Sequence, residues 1–197
     1  MGQTTDMAMI ADLRKELERE AEEENIPVLR RAERKLLLEA AAAADPKKIL
    51  EVGTAIGYSA LLLAEHFPLA EIDTIEIDAL RNERAVSVMQ AAGFEQRVRC
   101  HLGDAGEVLS TLAGPYDFVY LDGPKGQYLR HLSRNYRKMR LLRRIMFFFE
   151  DWCEAGTPWP IGTGRLSHAC GNTSNMWRLI MIRLSMKRET VLRCQVR

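Results

Sequence analysis

A glycine-containing turn and a later acidic residue have the types and spacing of a nucleoside-binding site. Gly53 and Gly57 follow an apolar run that ends in Glu51 and Val52, and glycine lets the backbone pass close to a ligand because a Cβ would clash there. Glu76 lies 23 residues after Gly53, near the ~20-residue spacing of a carboxylate that binds ribose hydroxyls. The turn lacks the GxGxxG glycines that cradle a pyrophosphate, which favours S-adenosylmethionine (SAM) over a dinucleotide. The alternative is a tight turn with a solvated Glu at a strand end.

Two further segments place acidic residues after apolar runs. Asp104, in Gly103-Asp104-Ala105, could accept a hydrogen bond from an adenine amino group, and the Ala105 backbone N–H could meet a ring nitrogen. Asp is also a favoured helix N-cap, which is the alternative. Asp122, in the segment LDGPKGQY, could bind Mg²⁺, which prefers oxygen ligands, and Lys125 could take a proton from an acceptor hydroxyl. Here the alternative is a turn with an Asp cap and a surface Lys.

These residues need elements that bring them together. From Lys48 onward, short apolar runs alternate with helical segments of about ten residues, which is typical of parallel βαβ units in an open α/β sheet. The pattern predicts strands at 49–52, 71–77, 98–102 and 116–121, helices at 57–65, 80–92 and 105–112, and two earlier helices at about 7–24 and 29–44. Right-handed crossovers put the strand carboxyl ends on one edge, where ligands of such folds bind. We therefore expect the candidate residues at that edge.

The total charge of the chain conceals two unlike parts. The 197 residues include 28 Lys+Arg and 27 Asp+Glu, a net charge of +1, which excludes a strongly basic nucleic-acid binder when the chain is taken whole. Residues 1–132 nevertheless carry a net −8 and residues 133–197 a net +9. The alternating pattern also stops near residue 133. We expect a cofactor-binding domain over residues 1–132 and an aberrant or poorly ordered tail over residues 133–197.

Other features concern the compartment. No apolar run approaches the ~20 residues of a membrane span, and the polar N-terminal segment resembles no signal peptide. None of the four cysteines belongs to a CxxC pair, so the sequence indicates neither a disulfide framework nor a zinc site. We expect a cytoplasmic protein without a membrane partner.

Together, the candidate segments resemble the cation-dependent class I O-methyltransferases, the family of catechol and caffeoyl-CoA methyltransferases. The resemblance rests on ILEVGTAIGYSALLLA from Ile49, TIEID from Thr74, GDA from Gly103 and DFVYLDGPKGQY from Asp117, and it covers roughly residues 5–132. It is greatest to small bacterial members that methylate 5-hydroxyuridine at the tRNA wobble position. It implies a Rossmann-like sheet with helices on both faces and methyl transfer from SAM to a hydroxyl, with Mg²⁺ orienting the oxygen and lowering its pKa.

The resemblance also implies roles for individual residues. It implies SAM contacts from Leu29, Gly53, Ser59, Glu76, Asp104, Ala105 and Asp122. Within this set, Glu76 would bind the ribose, Asp104 and Ala105 the adenine, and Asp122 both SAM and the metal. Lys125 would be the catalytic base, and Glu51, before the glycine turn, is a further expected cofactor ligand. Because relatives commonly form dimers, a homodimer is expected.

The family pattern fails after Tyr128. A Gly-Gly turn, an Asp-Asn pair that completes the metal site, a hairpin and a last helix should follow, and only Glu150-Asp151 resembles the pair. We therefore hypothesise a shifted reading frame between about Ser133 and Arg144. With synonymous codons chosen freely, the shifted frame from Arg144 can spell DNVLFRGLVRG. A shifted frame would leave the C-terminal strands incomplete, weaken Mg²⁺ binding and leave this chain with little or no activity, whereas the alternative is a divergent natural C-terminus.

Three functions remain open on the sequence alone. The first is a SAM-dependent O-methyltransferase whose acceptor is tRNA 5-hydroxyuridine or a small catechol-like molecule. The second is a nicotinamide-dependent oxidoreductase on a similar sheet, against which the absence of GxGxxG argues. The third is a non-enzymatic product whose basic tail binds RNA phosphates.

Overall fold

The computed structural model describes residues 7–122, 144–149, 178–183 and 193–196. Five helices lie in this part of the chain: α1 (Met7–Glu24), α2 (Arg31–Ala42), α3 (Tyr58–His66), α4 (Ala79–Ala91) and α5 (Ala105–Thr111). Seven strands accompany them: β1 (Lys48–Val52), β2 (Glu71–Glu76), β3 (Val98–Leu102), β4 (Phe118–Leu121), β5 (Arg144–Phe149), β6 (Arg178–Arg183) and β7 (Arg193–Val196). The elements predicted before residue 122 are all present, with ends that differ by no more than two or three residues.

The seven strands form one sheet in the order β3-β2-β1-β4-β5-β6-β7. Strands β1 to β5 pair in parallel, whereas β5–β6 and β6–β7 are antiparallel. The strand order reverses direction between β1 and β4, and open α/β sheets bind ligands at such a position, beyond the strand carboxyl ends. The predicted α/β class with a parallel sheet and flanking helices is therefore confirmed.

The centre of the sheet is covered because its strands are apolar on both faces. Four of the five residues of β1 are buried, and such continuous burial is typical of parallel strands with helices on either side. Helix α3 is buried along most of its length, from Tyr58 to Ala64, because it lies between the sheet and the N-terminal helices. The apolar segment predicted as a helix after Gly57 is thus a central packing element.

Helix α1 packs across α3 and is joined to the sheet domain by ion pairs. Its residues Ile10, Leu17 and Ala21 are buried at helical spacing. The Arg84 guanidinium of α4 donates to both carboxylate oxygens of Glu20 at 2.6–3.0 Å. Planar two-point pairing of this kind fixes orientation as well as charge, so α1 has a defined position over α3 and α4.

The sheet extends further than the sequence analysis predicts. The C-terminal strands were expected to be incomplete, yet β5 continues the parallel part of the sheet and β6 and β7 add two antiparallel strands. The segments RIMFFF and RLIMIR are rich in branched and aromatic residues, which fit a pleated surface. The proposed boundary near residue 133 stays a prediction, since most residues of the tail lie outside the described part of the chain. No described helix has the length and apolar character needed to cross a membrane.

Candidate cofactor site

The glycine turn after β1 is held tightly against the end of β4. Gly53 has a φ of +98°, and a Cβ built on it would lie 1.6 Å from the backbone oxygen of Asp122. The Gly53 amide donates to the carbonyl of Ile75 at 2.9 Å, and the Asp122 amide donates to the carbonyl of Val52 at 2.8 Å. Only glycine combines this conformation with this close approach. The turn therefore joins the carboxyl ends of β1, β2 and β4.

Glu76 connects the glycine turn to the end of β2. Its side chain is nearly buried, at 7% exposure, and its Oε2 accepts a hydrogen bond from the Ala55 amide at 2.8 Å. Its Oε1 accepts from the amides of Ile77 and Asp78 at 2.9 and 3.0 Å. The carboxylate is thus fixed by three backbone donors beside the Gly53 turn, as the spacing predicted, and its predicted role in ribose binding stays a prediction.

A row of side chains lies across the sheet two residues before Gly53, Glu76 and Asp122 along their strands. Glu51 of β1 is in register with Thr74 of β2 and with Tyr120 of β4. The Thr74 hydroxyl donates to Glu51 Oε2 at 2.6 Å and also contacts the Thr54 hydroxyl. Because residues in register on parallel strands face the same side, this row forms the floor beneath the Gly53 turn.

Glu51 is a fully buried carboxyl group in this row. Burial raises its pKa to about 7, although hydrogen bonds from Ser59 and Thr74 lower it in part, and the nearby charges of Asp122 and Glu76 raise it further. Its Oε1 is buried and makes no well-formed hydrogen bond to any described residue. A buried acceptor without a donor is costly, which marks Oε1 as a place for a ligand's donor or cation.

Asp104 lies at the end of β3 and acts as the N-cap of α5. Its Oδ1 accepts hydrogen bonds from the amides of Gly106 and Glu107 at 2.8 and 3.3 Å. The Gly103 amide, one residue earlier, donates to the Glu76 carbonyl at 2.8 Å, which brings this loop beside Glu76. The capping alternative weighed for Asp104 is therefore present in the structure, and the predicted adenine contacts of Asp104 and Ala105 stay predictions.

Asp122 follows β4 at the same edge. The Tyr120 hydroxyl donates a hydrogen bond to Asp122 Oδ2 at 2.8 Å. Burial, with the charges of Asp122, Glu51 and Glu33 around it, raises the pKa of Tyr120 well above its ordinary value, so the phenol keeps its proton. The sequence analysis missed Tyr120, although its place two residues before Asp122 puts it on the face that Glu51 occupies in β1. Lys125, the predicted base, lies outside the described residues.

The segment before α2 contains Leu29, the first of the predicted SAM contacts along the chain. Leu29 is buried, and its carbonyl accepts a hydrogen bond from Arg34 Nε at 2.9 Å. The Glu33 carboxylate caps the helix by accepting from the Arg30 amide at 2.6 Å. The Glu33 charge contributes to raising the pKa of Tyr120. The predicted contact of Leu29 with SAM stays a prediction.

The sequence analysis also did not identify two exposed apolar residues at this edge as site residues. Ile77 directly follows Glu76 and is 70% exposed, and Leu102, the register partner of Glu76 in β3, is 53% exposed. Exposed large apolar side chains beside a fixed carboxylate offer a surface for a planar, apolar ligand group. Their signal in the sequence is that each stands at a strand end where a polar residue is more usual.

The structure offers little support for the predicted metal site in the part of the chain that it describes. No three His, Cys, Asp or Glu side chains among the described residues are grouped to hold a metal ion. Asp122 is the only predicted ligand, and its Oδ2 already accepts from Tyr120. The described residues at this edge therefore do not by themselves make up the oxygen-ligand set that Mg²⁺ requires.

The strand order and the Gly53 turn define a Rossmann-like protein, and the carboxylates at that edge form a candidate cofactor site. The model of the O-methyltransferase family matches residues 3–151, and the chain belongs to that family. A Mycobacterium tuberculosis protein named "Probable O-methyltransferase" is 37% identical over 111 residues, covering 51% of this chain and 48% of that protein. A catechol O-methyltransferase of the same organism is 34% identical over 112 residues, covering 56% of this chain and 50% of the relative.

A solved structure gives the same assignment. The O-methyltransferase TomG from Streptomyces achromogenes, in complex with SAM, has a TM-score of 0.62 and 26% identity, covering 70% of this chain and 65% of that one. The chain spans about half the length of the curated relatives named above. These similarities favour a methyltransferase over the nicotinamide-dependent alternative.

Proposed function

We propose that this chain binds SAM at the edge formed by the Gly53 turn and that its fold serves methyl transfer to a hydroxyl oxygen. The observation that carries the proposal is Glu51, a fully buried carboxyl group whose Oε1 makes no well-formed hydrogen bond to a described residue. SAM carries a positive ammonium and a positive sulfonium, either of which would compensate a buried carboxylate. The SAM bound to TomG, a structural neighbour, supports this choice of cofactor.

The remaining edge residues suit the other parts of the cofactor. The Glu76 carboxylate accepts one or two amide hydrogen bonds on each oxygen, and a carboxylate has about four lone-pair positions, which leaves capacity for a ribose hydroxyl. Both capping bonds of Asp104 use Oδ1, so capping and an adenine contact through Oδ2 are compatible. Leu29 and Ser59 complete the proposed set.

The proposed reaction needs a deprotonated acceptor near the end of β4. Bound SAM would supply an electrophilic methyl group, and the reaction would break its C–S bond as an O–C bond forms. Asp122 would orient the acceptor side of the cofactor, and the Lys125 amine would take the acceptor's proton, which balances the transfer. Magnesium assistance, which the family resemblance implies, would need oxygen ligands beyond Asp122 and is tested separately by comparing reactions with added Mg²⁺ and with a chelator.

Two hydroxyl acceptors are proposed in turn. A catechol-like small molecule agrees with the catechol O-methyltransferase among the relatives, and a tRNA wobble 5-hydroxyuridine follows from the family resemblance. Transfer of a radiolabelled methyl group from SAM to catechol, or to tRNA that carries 5-hydroxyuridine, separates them. Size-exclusion chromatography with light scattering tests the proposed homodimer.

The cofactor proposal is tested by calorimetric titration with S-adenosylhomocysteine, which carries the same ribose and adenine and no methyl group to transfer. Glu76→Ala should weaken binding more than tenfold, because it removes the proposed ribose ligand and frees the Ala55 amide. Glu71→Ala is the matched control, since Glu71 lies at the opposite end of β2, is exposed, and pairs with Arg99 at 3.2 Å. Equal binding by wild type and Glu76→Ala, with both folded by circular dichroism, would contradict the proposal.

We also propose that the tail arises from a shifted reading frame beginning between about residues 133 and 144. The net charges of −8 and +9 on either side of residue 133 support it. The coding sequence tests the proposal directly. If the alternative frame does not encode the Asp-Asn pair and a closing hairpin and helix, the tail is a divergent C-terminus instead.

A further inference from the structure

The side chain of Asp122 is held by a tyrosine from within the sheet. Tyr120 is completely buried, and its hydroxyl donates to Asp122 Oδ2 at 2.8 Å. The main chain of Asp122 is fixed as well, because its amide donates to the Val52 carbonyl at 2.8 Å and its own carbonyl oxygen packs against Gly53. Both parts of this residue are therefore set by β1 and β4 before any ligand binds.

The hydroxyl of Tyr120 is not required by the core. A phenylalanine would fill the same apolar space, whereas the hydroxyl brings a polar atom into a floor that already contains buried Glu51. A buried polar group is retained at a cost unless it makes a good hydrogen bond, and the bond here goes to a residue of the cofactor edge. The Tyr120 hydroxyl thus has a specific partner and a specific direction.

We propose that Tyr120 is a positioning residue for the cofactor site, which orients the Asp122 carboxylate toward the Gly53 turn. This inference rests on the proposed SAM site and adds to it a residue that acts through Asp122 and does not itself touch the cofactor. Preorganised charge at a site avoids the reorganisation that binding would otherwise require. In this chain the hydrogen bond from Tyr120 supplies that preorganisation from the protein itself.

The chain offers a closely matched control for Tyr120→Phe. Tyr116 is also completely buried, and its hydroxyl donates to the carboxylate of Asp73 at 2.9 Å. Asp73 lies in the middle of β2, three residues before Glu76, and accepts from His101 as well. Tyr116→Phe therefore removes a hydrogen bond from another buried tyrosine to an aspartate, at a place outside the proposed site.

The test combines affinity with a double-mutant cycle. Tyr120→Phe should weaken S-adenosylhomocysteine binding about tenfold, and Tyr116→Phe should change it less than twofold, with both variants folded. In an Asp122→Ala background, Tyr120→Phe should have almost no further effect, because its partner is gone. A merely structural role for Tyr120 would instead give losses that multiply in the double variant.

The outcomes separate this inference from the proposed function. Wild-type protein that binds no S-adenosylhomocysteine overturns both. Wild-type protein that binds it, with unchanged affinity in Tyr120→Phe or with independent effects of Tyr120→Phe and Asp122→Ala, overturns the positioning role and leaves the cofactor proposal in place. If Tyr120→Phe does not fold, Asp122→Ala still tests the inference, because unchanged binding by that variant leaves Tyr120 no carboxylate to position and overturns the role.

Discussion

Glu51→Gln is expected to stabilise the protein at alkaline pH and to remove a pH dependence that the wild type has. Glu51 is fully buried, and burial raises its pKa from 4.5 to about 7. Glutamine has nearly the same shape and can accept the Thr74 hydroxyl that now donates to Glu51 Oε2 at 2.6 Å. The substitution therefore replaces an ionisable group with a neutral one while keeping most of the packing.

The sign and size of this change in the free energy of unfolding follow from the linkage between protonation and folding. A carboxyl group whose pKa is higher in the folded than in the unfolded state favours folding while it is protonated in both. This contribution is complete below about pH 4.5 and is lost as the pH rises through about 7. At 1.36 kcal/mol per pKa unit, the difference amounts to about 3 kcal/mol, which is a large part of the free energy of unfolding of an ordinary domain.

Urea unfolding of the full chain at pH 5 and pH 8.5 measures this effect. Glu51→Gln and wild type should have similar free energies of unfolding at pH 5, and the variant should be more stable by up to about 3 kcal/mol at pH 8.5. Glu95→Gln is the control, because Glu95 is exposed and its substitution should give nearly the same small difference at both pH values. A difference between Glu51→Gln and wild type that does not change with pH would refute the reasoning.

Two further substitutions test the packing that supports the site. Gly53→Ala should lower the free energy of unfolding by about 2–3 kcal/mol, because its Cβ would lie 1.6 Å from the Asp122 oxygen at a φ of +98°; a urea midpoint equal to that of wild type would contradict this. Arg97→Ala should cost about 1–2 kcal/mol, because the guanidinium donates to the Ala64 carbonyl at the end of α3 and lies 4.2 Å from the centre of the Phe94 ring. Arg99→Ala, which removes an exposed partner of Glu71, should cost much less in the same assay.

The edge of the sheet could be predicted because its signals are local. The alternation of apolar runs and helices fixes the order of β1 to β4, and the residues after each run mark the strand ends. Gly53, Glu76 and Asp122 were identified in this way, and the structure brings them together. Two glycines and a spacing of 23 residues suffice for such a prediction because parallel strands align their carboxyl ends by the rules of chain connection.

The row beneath the edge could not be predicted in the same way. Thr74, Glu51 and Tyr120 come into contact only because β2, β1 and β4 are neighbours in a particular register. The relevant signal was present in the sequence, since each of the three stands two residues before an edge position. This signal can be interpreted only when the strand order is known, and neighbouring residues in the sequence do not encode that order. The Tyr116–Asp73–His101 cluster was missed for the same reason.

The distribution of unsatisfied groups indicates where this fold leaves room for a ligand. Three buried carboxylate oxygens of the described residues make no hydrogen bond: Oε1 of Glu33, Oε1 of Glu51 and Oε2 of Glu65. Glu33 and Glu65 each have a basic partner, Arg30 at 3.7 Å and Arg14 at 3.2 Å, whereas no described basic side chain pairs with Glu51. The carboxyl group that the described residues leave without a basic partner therefore lies beside β4, two residues before Gly53. A cationic group of a cofactor would compensate Glu51 when it is ionised, whereas an anionic pyrophosphate would oppose its ionisation, so the electrostatics agree with the proposal of SAM.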